Sequence, residues 1–171
     1  MNIYNFSNIS NYLPILNAVI ITDLIVIILL LVGIIDSKVL QEWYYNFGIN
    51  AFIADILIIF IGIIIGRFLY PYIFSEYNLL YFIILCVIIQ VIHDILFYLL
   101  FQNIPYGANR MIDTFKDYGK EVGYKAILAD SCMMISAILF GTLFANNSVN
   151  FNIILLVVLM YIMPYLVAGK K

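Results

Sequence analysis

Long apolar runs separated by short polar segments dominate the chain. Five runs are candidate membrane spans: residues 13–35, 49–70, 79–101, 124–145 and 151–168. Each has about the 20 apolar residues that a helix needs to cross a bilayer, and each is too long for a buried strand. Because backbone groups in lipid must be paired within their own segment, the pattern predicts an all-α bundle. We expect about five transmembrane helices in a single membrane domain over residues 1–171.

The segment between the third and fourth runs has a different pattern. Over residues 109–123, apolar residues recur at helical spacing with charged residues between them: Met111, Ile112, Phe115, Tyr118 and Val122. This pattern predicts an amphipathic helix in the membrane interface. It is either a connector resting on the membrane or a docking or gating element. In the loop after the first run, Trp43, Tyr44 and Tyr45 are expected to form an interfacial aromatic belt.

Composition agrees with a membrane location. Hydrophobic residues make up 65% of the 171 positions and charged residues 11%, too few to cover a soluble core. A net charge of -2 argues against a nucleic-acid partner. The sequence shows no nucleophile with a paired base and no phosphate-binding glycine loop, so we expect neither an enzyme nor a cofactor. The first residues lack a basic region, and a cleaved signal peptide is not expected.

Lysine and arginine are distributed unevenly between the two sides. Seven of them fall in the segments on one side: Lys38, Arg110, Lys116, Lys120, Lys125, Lys170 and Lys171. The other side has Arg67 alone, at the end of a run. Cytoplasmic loops are enriched in these residues, so the N-terminus is predicted outside or lumenal and the C-terminus inside.

The second and fourth runs resemble each other. Residues 48–55, Gly-Ile-Asn-Ala-Phe-Ile-Ala-Asp, align with residues 123–130, Gly-Tyr-Lys-Ala-Ile-Leu-Ala-Asp, and the register continues without a gap. The first and third runs match more weakly, with Asp23 opposite Asp94. Paired runs point the same way, so the hypothesis is a parallel two-plus-two repeat with a fifth helix appended. Chance identity between apolar helices is the alternative.

Four aspartates lie inside the predicted spans: Asp23, Asp55, Asp94 and Asp130. A charge at the bilayer centre costs about 2.5–3.5 kcal/mol on insertion scales, so these carboxylates should face the bundle interior. By depth, at least three of them should meet in the inner half of the bundle. Like charges in a low dielectric do not all stay ionised, so they should hold protons or share a cation.

Helical geometry places small or polar residues on the same faces as the aspartates. Asp55 shares its face with Gly62 and Gly66, and Asp130 shares its face with Ala137 and Gly141; small residues of this kind allow close helix packing. On the third run, Gln90 and Asp94 form a polar stripe. The adjacent His93 is expected to point about 100° away, toward a neighbouring helix.

Three functional hypotheses follow. The first is a small proton or cation channel or transporter that uses Asp23, Asp55, Asp94, Asp130, His93 and Gln90. The second is a structural membrane protein whose protonated aspartates join helices by hydrogen bonds. The third is a metal site formed by Asp55, Asp94, Asp130 and His93, with the metal unknown. The lipid bilayer, protons or cations are the expected partners. A homo-oligomer is also expected, since five helices leave little room for an aqueous path.

Residues 93–134 contain four short motifs: His93-Asp94, Pro105-x-Gly107-x-Asn109, 112–118 (Ile-Asp-x-Phe-Lys-x-Tyr) and 129–133 (Ala-Asp-Ser-x-Met). In these motifs the chain resembles uncharacterised multi-pass membrane proteins of large DNA viruses of protists. The resemblance implies a virion inner-membrane or host-membrane location, and it implies no activity and no functional residue.

Overall fold

The computed structural model describes residues 3–168, so Lys170 and Lys171 of the orientation argument lie outside the described residues. This part of the chain has no β-strand and folds into seven α-helices: α1 (Tyr12–Leu31), α2 (Lys38–Phe47), α3 (Ile49–Ile73), α4 (Leu79–Gln102), α5 (Arg110–Val122), α6 (Tyr124–Ala145) and α7 (Val149–Val167). Five of them, α1, α3, α4, α6 and α7, are long and apolar enough to cross a membrane. The predicted all-α class with five spanning helices is therefore confirmed.

Two helix ends differ from the predicted runs, one at a glycine and one at a proline. The first run was expected to reach residue 35, but α1 ends at Leu31 and the chain turns at Gly33, whose φ is +79°. The second run was expected to end at residue 70, but α3 continues through Pro71 to Ile73. Proline is tolerated there because it removes a single backbone hydrogen bond close to the helix end.

Four spanning helices form a ring in the order α1, α6, α4, α3, and α7 packs outside it, mainly against α1. The contact with α7 includes the buried Asn17, whose Nδ2 donates to the carbonyl oxygen of Asn152 at 2.8 Å. Helices α2 and α5 pack against each other at one end of the ring, where α1 and α4 finish and α3 and α6 begin. We call this the α2/α5 end.

A carboxylate links the two helices of the α2/α5 end. Glu121 of α5 accepts hydrogen bonds from the backbone N–H groups of Lys38 and Val39 in the first turn of α2, both at 2.9 Å. The first N–H groups of a helix have no partner within it, and a carboxylate there is favoured by the helix dipole. Lys116 was predicted on the polar face of α5, but it is buried, and its Nζ donates to the carbonyl oxygen of Ile104.

The two halves of the ring share one order of elements: a span, an amphipathic helix and a second span. In each half, one glycine joins the amphipathic helix to the following span. Gly48 has φ +52° and ψ -122°, and Gly123 has φ +58° and ψ -135°. Side chains other than hydrogen are strained in this region, so both joints require glycine.

Close helix contacts also occur at equivalent positions in the two halves. Gly66 of α3 faces the Cys86 sulfur of α4, and Gly141 of α6 faces Ile15 of α1. Ile15 and Cys86 are opposite each other when the first and third runs are aligned as in the sequence comparison. These similarities support the hypothesis of an internal duplication, which stays a prediction.

Candidate functional site

One cavity of about 890 Å³ lies inside the ring at the α2/α5 end, bounded by helices α1 to α6. Its wall contains all six residues that the sequence predicts for ion or proton binding: Asp23, Asp55, Gln90, His93, Asp94 and Asp130. The structure therefore brings them together, as their depths along the spans suggested. The rest of the wall is mostly apolar.

Asp23 and Asp55 share a tyrosine of α2. The Tyr44 hydroxyl lies 3.0 Å from Oδ1 of Asp23 and 2.9 Å from Oδ2 of Asp55. The indole Nε1 of Trp43 donates to the same Asp55 oxygen at 3.0 Å. Residues from α1, α2 and α3 thus meet in one hydrogen-bonded group, which we call the Tyr44 cluster.

The number of hydrogens in the Tyr44 cluster restricts its protonation state. A tyrosine hydroxyl has one proton and donates to one carboxylate at a time. The oxygen of the other aspartate is equally close to the tyrosine hydroxyl. That aspartate must therefore be protonated itself and donate a hydrogen bond to the tyrosine oxygen. The group is then a chain from one aspartate through Tyr44 to the other. Reversing both hydrogen bonds moves a proton along that chain.

Trp43 and Tyr44 of α2 lie elsewhere than predicted. An interfacial aromatic belt was expected, but only Tyr45 of these three residues is exposed, while Trp43 and Tyr44 are buried against the carboxylates. The signal was present in the sequence. Leu40, Trp43, Tyr44 and Phe47 have the i, i+3, i+4, i+7 spacing of an amphipathic helix.

A second group of polar residues surrounds Asp94 on α4. Gln90 Nε2 donates to Oδ1 of Asp94 at 2.7 Å, and His93 Nδ1 lies 3.2 Å from the same oxygen. His93 was expected to point away from Asp94, but its ring bends back and stacks on Phe97, with ring centroids 4.1 Å apart. The other carboxylate oxygen of Asp94 is buried and has no hydrogen-bond partner among the described residues.

Tyr118 of α5 lines the same cavity as the four aspartates. Burial raises the pKa of Tyr118, and the charge of Asp130 is the next largest cause, ahead of Asp55 and Asp94. Tyr118 precedes Gly123 by five residues, as Trp43 precedes Gly48. Both aromatic side chains therefore hold equivalent places beside the equivalent acids Asp130 and Asp55. In the predicted amphipathic helix, Tyr118 was counted only among the apolar residues.

We predict that stability falls at alkaline pH because of Tyr44 and Tyr118. Burial raises the pKa of Tyr44 well above 10.0, with Asp55 and Asp23 adding to the effect. Above pH 10 the unfolded chain loses these protons while the folded chain keeps them. The free energy of unfolding should then fall by about 1.4 kcal/mol per pH unit for each group.

Unfolding in detergent between pH 8 and 11.5 tests this prediction. Tyr118→Phe should make the decline above pH 10 shallower, and its stability difference from the parent should be constant below pH 9. An identical decline in the parent and the variant would contradict the assignment.

The predicted packing residues line helix contacts next to the cavity. A Cβ atom on Gly62 would lie 2.9 Å from Cε of Met134, and one on Gly66 would overlap the Cys86 sulfur. Ala137 is fully buried, and a Cβ on Gly141 would make an ordinary contact of 3.6 Å with Ile15. Away from the α2/α5 end, the ring is closely packed.

The metal hypothesis gains no support from the geometry. Within residues 3–168, no group of three or more histidine, cysteine, aspartate or glutamate side chains is placed to hold a metal ion. His93 is turned to Asp94, and Asp55 is engaged by Trp43 and Tyr44.

The fold and the cavity define a class: a multi-pass helical membrane protein with acidic residues in its interior. No protein family matches the chain, and neither does a curated protein or a solved structure.

Proposed function

We propose that the protein moves protons or cations across its membrane by means of the carboxylates at the α2/α5 end. The observation that carries the proposal is the Tyr44 cluster, in which two buried aspartates share one tyrosine hydroxyl. Ionisable groups inside a membrane are costly and most often mark ion or proton paths. A chain of aspartate, tyrosine and aspartate takes up and passes on a proton without moving the backbone.

The packing favours a transporter or a gated channel over an open pore. The cavity occupies the α2/α5 end, while the opposite part of the ring is closed by the contacts of Gly66 and Gly141. At the far end, Arg67 and Tyr70 are fully buried. An ion that reaches the aspartates therefore needs a rearrangement of these helices before it leaves on the other side.

A structural role is the second candidate, and the same cluster favours it. Three hydrogen bonds between Trp43 or Tyr44 and the carboxyl groups of Asp23 and Asp55 join helices α1, α2 and α3. Polar side chains often hold membrane helices together in this way. The resemblance to viral membrane proteins would place this role in a virion or host membrane.

Ion flux in liposomes separates the two functions. Purified protein would be compared with an Asp55→Asn, Asp130→Asn double variant. An Asp36→Asn, Glu76→Gln double variant is the matched control, because both acids are exposed and it removes the same charge. We expect proton or cation flux in the parent and the control, and flux at the level of protein-free liposomes in the cavity variant.

Insertion and folding of each variant are checked by size exclusion and circular dichroism. Flux that persists in a folded cavity variant would refute conduction through the carboxylates. No flux in the parent, across pH and voltage, would leave the structural role as the function.

A further inference from the structure

The cavity is much larger than a proton or a bare ion requires. Its volume of about 890 Å³ is in the range of sites for small organic molecules, which are mostly apolar with a few placed polar groups. The wall has this character: aliphatic and aromatic residues from six helices surround four carboxylates. The size and the lining both point to an organic ligand, and this inference rests on the proposed function.

Aromatic side chains occupy the wall between the carboxylates. Phe97, Tyr98 and Phe101 come from α4, and Phe115 and Tyr118 come from α5. Phe97, Tyr98 and Leu99 are also exposed, so the wall of the cavity extends to the outer surface of α4. Aromatic faces attract cations, and this attraction is strongest where water is excluded.

The charge balance of the wall selects the sign of the ligand. Against four aspartates, the described residues of the wall include one lysine and one histidine. The ammonium of Lys116 is bound to the carbonyl oxygen of Ile104, and His93 Nδ1 lies 3.2 Å from Asp94. Asp23 is 0% exposed, yet its Oδ2 has no hydrogen-bond partner among residues 3–168, and the residue lines the cavity. Oδ2 of Asp94, whose side chain is 15% exposed, also has no hydrogen-bond partner among these residues. Neither oxygen receives a hydrogen bond from the described chain, and a cation in the cavity would compensate their charge.

We propose that the cavity binds a monovalent organic cation with a bulky apolar, preferably aromatic, body. Asp94 and the single negative charge that Asp23 and Asp55 share through Tyr44 supply the counter-charge, and the aromatic residues of α4 and α5 enclose the body. A compact hydrated ion would leave most of the apolar wall unoccupied. A neutral or anionic molecule of the same shape would leave the buried carboxylates uncompensated.

The experiment compares probes of matched shape and opposite charge. Binding of tetraphenylphosphonium, tetraphenylborate and tetramethylammonium to the purified protein is measured by equilibrium dialysis in detergent, with protein-free micelles as the blank. We expect tetraphenylphosphonium to bind at least about tenfold more tightly than either of the others, a difference of about 1.4 kcal/mol. Asp94→Asn should weaken it by at least about tenfold, while the exposed-site control Asp36→Asn should not.

Each outcome decides the inference. Equal binding of the phosphonium and the borate would mean apolar partition, such as occupation by lipid tails, and would overturn it. Tight phosphonium binding that Asp94→Asn and Asp23→Asn both leave unchanged would also overturn it. The proposed function fails separately: ion flux without phosphonium binding refutes the ligand class alone, and phosphonium binding without flux refutes transport alone.

Discussion

Replacing Tyr44 with phenylalanine should be among the most destabilising single substitutions in this protein. The change removes one oxygen atom, yet that atom contacts both Asp23 and Asp55. Asp23 Oδ1 would lose its hydrogen-bond partner, while Asp55 Oδ2 keeps that of Trp43. One buried polar group left unpaired costs about 1–3 kcal/mol, so the free energy of unfolding should fall by roughly that amount. Chemical unfolding in detergent micelles measures the difference.

The neighbouring residue is the matched control. Tyr45 is 57% exposed, whereas Tyr44 is 6% exposed, so Tyr45→Phe should change stability by less than about 0.5 kcal/mol. Asp23→Val should cost less in the Tyr44→Phe background than in the parent, because it removes an acceptor that is already unpaired. If Tyr44→Phe proved as mild as Tyr45→Phe, the shared hydrogen bonds would not exist in the folded protein.

The second large effect is expected from Gly66→Ala. The added methyl group would overlap the Cys86 sulfur, with Phe82 and Ile89 close behind it. Overpacking of this kind costs about 1–3 kcal/mol, which outweighs the gain of about 1 kcal/mol from placing alanine in a helix. The same unfolding experiment should therefore show a net loss of stability and a displaced α4.

The equivalent glycine of the other half provides the control. A Cβ at Gly141 meets Ile15 and Ala18 at 3.6–3.7 Å, which is ordinary contact, so Gly141→Ala should be neutral or stabilising. Combining Gly66→Ala with Cys86→Ala should restore part of the loss, since the overlapping sulfur is gone. Equal effects of Gly66→Ala and Gly141→Ala would contradict the close packing of α3 on α4.

The sequence predicts the spans well because lipid imposes a simple requirement. Every backbone group must be paired within the helix, and a run of about 20 apolar residues is the sequence signal of a helix that crosses the bilayer. Helix ends are less certain because glycine and proline act locally, as at Gly33 and Pro71. The depth of Asp55 and Asp130 also follows from counting along a helix, and this count placed them in one half of the bundle.

The partners of the aspartates could not be predicted in the same way. Tyr44 reaches Asp23 because α2 folds back under α1. Gly33 and the N-cap residue Ser37 mark the turn after Leu31, but they do not give the direction that α2 then takes. The contact of His93 with Asp94 depends on side-chain rotamers, whereas a helical wheel gives only the directions of the Cβ atoms. A periodicity search over residues 38–47 would have found α2, but not the target of its tyrosine.

The bond between Glu121 and the start of α2 has a mechanical consequence. It joins the two amphipathic helices, and because both hydrogen bonds are exposed to solvent, the carboxylate at this helix N-terminus contributes about 0.3–1 kcal/mol. Tyr44 lies on α2 and Tyr118 lies on α5. A tilt of the joined helices α2 and α5 that moves one tyrosine away from the carboxylates displaces the other tyrosine as well. The two tyrosines are thus expected to move together rather than independently.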